Sequence, residues 1–227
     1  MRKTAILMLT AGILFSCSKK SENDTSMGKI MTYEILSAEQ IEAVMQAVMD
    51  IEIPTIDSNE VAVIETKFGR MVIEFDIENA PVHSANFKKL ANAGYYDGIT
   101  FHRIISGFMI QGGDINSRDD DPTNDGSGGP GYTLGAEIHN VHKKGTVAAA
   151  RTGNNVNPER RSSGSQFYIC HVDIPHLDGE YSAYGQVIEG LDVVDKIAAV
   201  RTGPGNKPLE DVVMQRVYMT TKSELNN

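Results

Sequence analysis

The chain has 227 residues, 41% of them hydrophobic and 22% charged, with a formal net charge of -9. At roughly 100–200 residues per domain, that is one domain plus extras, with enough apolar residues for a packed core. The acidic balance argues against nucleic-acid partners, which need a Lys/Arg surplus for phosphate contacts, and two cysteines exclude a disulfide-dense scaffold or a cysteine-rich zinc module. No mid-chain apolar run reaches the ~20 residues of a membrane-spanning helix.

In chain order, Arg2 and Lys3 form a short basic segment, Ala5 to Phe15 is apolar, and the run ends in Leu14-Phe15-Ser16-Cys17. The residues alone allow an ordinary secretion signal or a short membrane anchor. An apolar, small-residue run ending at the first cysteine resembles a bacterial lipoprotein signal. That resemblance implies removal of residues 1–16, a lipid on Cys17, and a bacterial cell-envelope location facing the periplasm or exterior. Losing Arg2 and Lys3 takes the charge from -9 to -11. Cys170 is then the remaining cysteine, so no internal disulfide forms. It ends the run Phe167-Tyr168-Ile169-Cys170 and reads as a buried strand residue. Ser18 to Lys29 is polar and reads as a flexible tether. Ser18-Lys19-Lys20 is compatible with outer-membrane sorting.

Ser37 to Asp50 reads as a helix. Ser37 is a candidate N-cap with Gln40 three residues on, and Ile41, Val44, Met45, Val48 and Met49 form one apolar stripe. The stripe reads as packing on the main domain, with a dimer or partner helix as the alternative. A β-rich domain begins near Asn59. Val61 to Thr66 and Met71 to Phe75 alternate about a turn at Phe68-Gly69. A helix follows with Asn79 as a possible cap, Pro81 at its first position and Gly94 just past its end. Strands are predicted at Ile99–Ile105, Phe108–Ile115, Gly145–Ala150, Ser165–Cys170, Ala183–Ile188 and Val212–Thr220, with a helix over Leu191–Val200. The division is signal 1–16, tether and amphipathic helix 17–58, main domain 59–221 and tail 222–227. Many short strands with few helices suggest an antiparallel barrel or sandwich.

Three blocks stand out: Phe101-His102-Arg103-Ile104-Ile105-Ser106-Gly107-Phe108-Met109-Ile110-Gln111-Gly112-Gly113-Asp114, then Gly164-Ser165-Gln166-Phe167-Tyr168-Ile169, then Leu177-Asp178-Gly179 with Tyr184-Gly185. In this order, over about Asn59 to Thr220, they resemble the cyclophilins, which are peptidyl-prolyl cis-trans isomerases. The resemblance implies a mainly β fold: a closed eight-stranded antiparallel barrel capped by two helices, here with an extra N-terminal helix. It implies action on proline-containing polypeptides in protein folding, with no cofactor and no metal.

Prolyl isomerisation is slow because amide resonance raises a barrier of ~18–20 kcal/mol. A donor aimed at the twisted amide, an apolar pocket for the ring and donors for the flanking backbone are sufficient. Strand alternation puts Phe101 with Arg103, Met109 with Gln111, and Gln166 with Tyr168 on shared faces. If those faces converge, Arg103 and Gln111 lie beside a pocket walled by Phe108, Met109, Tyr168 and Leu177. The resemblance makes Arg103 the catalytic arginine, with Gln111 beside it, and puts Gln166 in the substrate groove. It gives Ala150-Arg151-Thr152 as a segment contacting the residue before proline. A surface ion pair is the structural alternative for Arg103, plain core for Phe108 and Met109, and a solvated side chain for Arg151. His102 alternates away from Arg103 and reads as a hydrogen-bonded structural histidine.

The sequence departs from the family at three groove positions. Tyr168 stands where the family usually has Phe, adding a hydroxyl that needs a partner. His176 stands where Trp is common, and Tyr181 where His is usual, which puts cyclosporin affinity and substrate preference in doubt. Gly153 to Ser163 is insertion-like. Asp119 to Gly126 fails the EF-hand pattern and reads as a solvated acidic loop. Gly126 to Gly131 lacks the Lys-Ser/Thr ending of a phosphate loop and matches a groove-edge loop. His139 and His142 lack a third zinc ligand in sequence. A non-catalytic module that binds proline peptides and recruits a partner is the rival reading, and retention of Arg103 with Gln111 favours the enzyme.

Overall fold

The structure is a computed structural model that describes residues 33–225. Cys17, the signal and the tether lie outside the described residues. Helix α1 spans Ala38–Met49, as its capping box predicts: the Gln40 N–H donates to Ser37 Oγ (3.3 Å) and the Ser37 N–H to Gln40 Oε1 (2.8 Å). Its stripe faces its own domain. Ile41 and Val48 are buried in the main core, with Val44 and Met45 partly buried against it, while Met49 at the stripe's end is half exposed. Ser37→Ala should destabilise α1 by about 1 kcal/mol. Amide exchange at Gln40 and Ile41 should then accelerate while the strand amides hold; unchanged exchange would show that tertiary packing alone fixes the helix.

Strands β1 (Glu60–Thr66) and β2 (Gly69–Phe75) form the expected hairpin. Thr66 pairs with Gly69, so the turn residues are Lys67 and Phe68, one position earlier than predicted. Gly69, at φ +128°, opens β2 in a conformation that side chains rarely adopt. Helix α2 (Pro81–Asn92) begins with its proline as predicted, but Asn79 does not cap it, because its side chain turns back to Asp76. The free N–H groups of Val82 and His83 donate instead to the Glu137 carboxylate at 3.0 and 2.9 Å. A carboxylate at a helix N-terminus also complements the helix dipole.

The remaining elements are β3 (Arg103–Ile105), β4 (Met109–Gly112), β5 (Thr133–Leu134), β6 (Thr146–Ala149), β7 (Ser162–Ser163), β8 (Phe167–Cys170), β9 (Ala183–Glu189), α3 (Leu191–Ala198) and β10 (Arg216–Thr221). Eight strands form one antiparallel sheet in the order β10-β1-β2-β9-β6-β8-β4-β3, and β5 pairs with β7 apart from it. The expected closed barrel is corrected to an open half-barrel. The edge strands β3 and β10 do not pair with each other, and β3 is only three residues long. The residues before it bond to the segment before β10: the Phe101 N–H donates to the Val212 carbonyl and the Met214 N–H to the Ile99 carbonyl, both at 2.8 Å.

Alternation divides the side chains between two clusters. Ile104, Ile110, Val147, Phe167 and Ile169 point into the main core with α2 and α3. Met109, Ala148, Tyr168 and Cys170 point to the other face and build a second, smaller apolar cluster. The strands are thus buried on both faces, and the second face carries the candidate site.

Candidate active site

Strand register lines up the residues that the sequence singled out. Arg103 on β3 is directly opposite Gln111 on β4, Gln111 is opposite Tyr168 on β8, and Tyr168 is opposite Ala148 on β6. Directly opposed residues share a face. With strands ~4.8 Å apart, a cation, an amide and an aromatic ring stand in a row roughly 10 Å long.

A directional chain of hydrogen bonds fixes the polar half of this row. Gln166 Nε2 donates to the carbonyls of Gly126 (3.0 Å) and Gly128 (2.8 Å). That leaves Gln166 Oε1 to accept from Gln111 Nε2 at 3.2 Å. Gln111 Oε1 is then turned toward Arg103 Nη1 and accepts from it at 3.1 Å. Each amide is oriented by the next, and the guanidinium keeps further N–H donors for a ligand. Among the described residues Arg103 has no ion pair, so the surface-pair alternative finds no carboxylate partner. The buried carboxylate of Asp114 holds the glycine loop, accepting from the Gly126 N–H and from the Asn116 N–H at 2.9 Å. Gly128 is required there, because a Cβ would lie 2.2 Å from Asp114 Oδ1.

The apolar half is the second cluster. Met109 and Tyr168 are buried in it, and Phe108, Leu177, Tyr181 and Ala150 are partly buried against it. Tyr181 meets Tyr168 edge-on at 5.9 Å, and His176 stacks on Phe108 at 5.9 Å, so Tyr168, His176 and Tyr181 all sit at this pocket. Cys170 lies in the same cluster, and burial pushes its thiol up to about 12, as befits an inert small hydrophobe.

The segment Ala150-Arg151-Thr152 is placed differently from a free binding edge. Ala150 uses both backbone groups, donating to the Gln166 carbonyl (3.0 Å) and accepting from the Ser163 N–H (2.8 Å). Thr152 is exposed, and its carbonyl accepts from Arg151 Nη1 at 3.0 Å. The Arg151 side chain is neither solvated nor free: it is 4% exposed, stacks 4.5 Å over Tyr181 and bonds to Glu180 and Asn154. The guanidinium acts as a brace for Tyr181. The insertion-like loop is ordered by Asn157, whose side chain takes the Arg161 N–H and donates to the Arg161 carbonyl, and by the β5–β7 pairing.

Two histidines correct or extend the sequence reading. His102 is buried, but among the described residues neither ring nitrogen has a hydrogen-bond partner. Burial holds its pKa below the ordinary 6.5. His142 is not paired with the exposed His139; its ring bonds to Asp178 and to the Tyr168 hydroxyl, which supplies the partner that hydroxyl needs. Burial, only partly opposed by Asp178, also keeps His142 below 6.5. An imidazole whose folded pKa is depressed binds fewer protons than in the unfolded chain, so stability is lost as pH falls below about 6.5. The melting temperature should drop between pH 7 and 5, above the carboxylate range, and His102→Gln should flatten that slope. A slope of the same size in the variant would assign the effect elsewhere.

Sequence reasoning missed Glu137, Asp114 and the pairing of His142 with Asp178. The unmatched hydroxyl of Tyr168 was the one signal for the last of these, and its partner lies 26 positions away.

A family model described as cyclophilin type peptidyl-prolyl cis-trans isomerase/CLD matches residues 61–219; α1 lies outside that span. The chain is similar to a peptidyl-prolyl cis-trans isomerase of Helicobacter pylori, 41% identical over 141 residues that cover 60% of this chain and 78% of the relative. It is similar to another of Synechococcus elongatus, 42% identical over 149 residues that cover 62% and 94%. Its fold is similar to that of a Cryptosporidium parvum cyclophilin type peptidyl-prolyl cis-trans isomerase, whose crystal structure was determined in the presence of the dipeptide Ala-Pro. The TM-score is 0.63 at 27% identity, covering 71% of this chain and 99% of that one.

Proposed function

Because the chain belongs to the cyclophilin-type peptidyl-prolyl cis-trans isomerase family, we propose that its Arg103–Gln111–Tyr168 row is the surface on which prolyl bonds turn. The protein is an isomerase of Xaa-Pro bonds. Twisting such a bond removes amide resonance and leaves the prolyl nitrogen with a lone pair. A fixed guanidinium beside it stabilises the twisted state more than either planar one. Arg103 is that group. Gln111 orients it and, with Gln166, grips the peptide backbone, while Phe108, Met109, Tyr168 and Leu177 hold the ring. The observation that carries this reading is the Arg103–Gln111–Gln166 chain ending on the glycine loop, because it aims the guanidinium before a ligand arrives.

The setting we infer is the bacterial envelope, with the chain tethered by a lipid on Cys17 and acting on folding polypeptides outside the cytoplasm. Support comes from the apolar run that ends at Cys17. Two measurements test these assignments. Titration with an Ala-Pro tetrapeptide should shift the side-chain amide resonances of Gln111 and Gln166 and the ring of Tyr168; shifts confined to another surface would displace the site. In a bacterial host, Cys17→Ser should abolish fatty-acid labelling and release the protein from membranes, and equal labelling would remove the anchor.

A further inference from the structure

Beneath the ring pocket lies a buried group that the chemistry above does not use. His142 is 1% exposed. Its Nδ1 is 3.0 Å from Asp178 Oδ1, and its backbone N–H donates to the same oxygen at 2.7 Å. Its Nε2 is 3.0 Å from the Tyr168 hydroxyl. The ring is nearly parallel to that of Tyr168 (14°) and edge-on to Tyr181 (84°). A carboxylate only accepts, so Nδ1 carries the ring proton. In the neutral imidazole Nε2 is then a bare acceptor, and the Tyr168 O–H donates to it. The His142 backbone N–H and ring hold the Asp178 carboxyl below the usual range, so it stays ionised at neutral pH. Asp178 follows Leu177, a wall of the pocket, so the dyad ties that wall to Tyr168.

We propose that His142, oriented by Asp178, is a positioning residue for the prolyl substrate: it keeps the Tyr168 hydroxyl proton turned out of the ring pocket, so that the pocket meets the ring with an apolar face. This rests on the assignment of Tyr168 to the ring pocket made above. Without the acceptor, the hydroxyl is an unpaired donor on a buried side chain that packs in the apolar cluster of Met109, Ala148 and Cys170. Protonating His142 has a related effect. Both ring nitrogens become donors, the bond persists only with the Tyr168 oxygen accepting, and the hydroxyl hydrogen swings toward the apolar side chains. The groups facing His142 are Asp178, which favours that protonation, His176, which opposes it, and the rings of Tyr168 and Tyr181. The neighbouring Lys143 is turned away to Asp173.

A double-mutant cycle on the full chain tests this, with prolyl exchange of an Ala-Pro tetrapeptide measured by NMR at pH 7.5. H142F should raise KM and lower kcat/KM about tenfold while kcat holds, as expected for an unsatisfied buried donor. In the Y168F background, where there is no hydroxyl to orient, the same change should cost less than about twofold. Equal losses in both backgrounds would overturn the proposal. If H142F does not fold, the pH profile decides. The protein with Tyr168 should lose kcat/KM through KM as His142 charges below its ordinary range, and Y168F should lack that limb; identical profiles would overturn the proposal. Full activity in Arg103→Ala would instead sink the site assignment beneath it, an outcome distinct from a failed cycle.

Discussion

Arg103→Ala lowers kcat/KM for a prolyl peptide by on the order of 10²–10³, equivalent to about 2.7–4 kcal/mol, the loss typical of removing one preorganised transition-state donor. The effect falls on kcat rather than KM, because the twisted amide, unlike the planar ones, has a nitrogen lone pair for the guanidinium. The fold tolerates the change. Arg103 sits half-buried on the edge strand β3, and its side chain makes one hydrogen bond, to Gln111, among the described residues. Arg103→Lys keeps the charge but loses the planar fork that reaches Gln111 and substrate together, so it should rescue only part of the rate. Kinetics of the three proteins at matched folded fraction check this. A variant with unchanged kcat would remove Arg103 from the chemistry.

Phe167→Ala should cost about 3–5 kcal/mol of folding stability, the usual range for deleting a buried aromatic side chain. The ring is fully buried and meets Phe87 at 5.5 Å, Tyr96 at 5.7 Å and Phe101 at 6.3 Å, so β8, helix α2 and the segment that leads from α2 into β3 lose a shared contact. Phe167 also lies between Gln166 and Tyr168 in sequence, with its side chain on the opposite face of β8. The cavity therefore loosens the backbone that carries one backbone-gripping residue and one ring-pocket residue. The denaturant midpoint should move sharply at constant slope, and activity per folded molecule should fall as well. A loss below about 1 kcal/mol would mean that the aromatic cluster repacks around the gap.

What the sequence carried best was periodicity. Alternation over Phe167–Cys170 and Met109–Gly112 separates main-core from pocket residues, and the structure divides Ile110, Phe167 and Ile169 from Met109, Tyr168 and Cys170 in that way. Ser37 with Gln40, Pro81 and Gly94 mark helix ends by local chemistry, and each stands where that chemistry puts it. What stayed hidden depends on distant partners. Glu137 caps α2 from more than 50 residues away, a pairing no local pattern encodes. The two-residue strands β5 and β7 are too short to show alternation. The link between the two sheet edges runs through Ile99 and Phe101, which bond to Val212 and Met214 before either β3 or β10 begins, and strand propensity does not state a partner. His102 shows the reverse failure: it reads as a hydrogen-bonded histidine, yet its ring is buried with no hydrogen-bond partner among the described residues.

The most direct measurement is cis-trans exchange of an Ala-Pro tetrapeptide by NMR, with the full chain present in sub-stoichiometric amount. Uncatalysed exchange takes tens to hundreds of seconds. The arrangement of Arg103, Gln111 and the Tyr168 pocket predicts exchange that is accelerated in proportion to protein and saturates with peptide. Saturable binding with no acceleration would contradict it, and would leave a module that holds prolyl peptides without turning them.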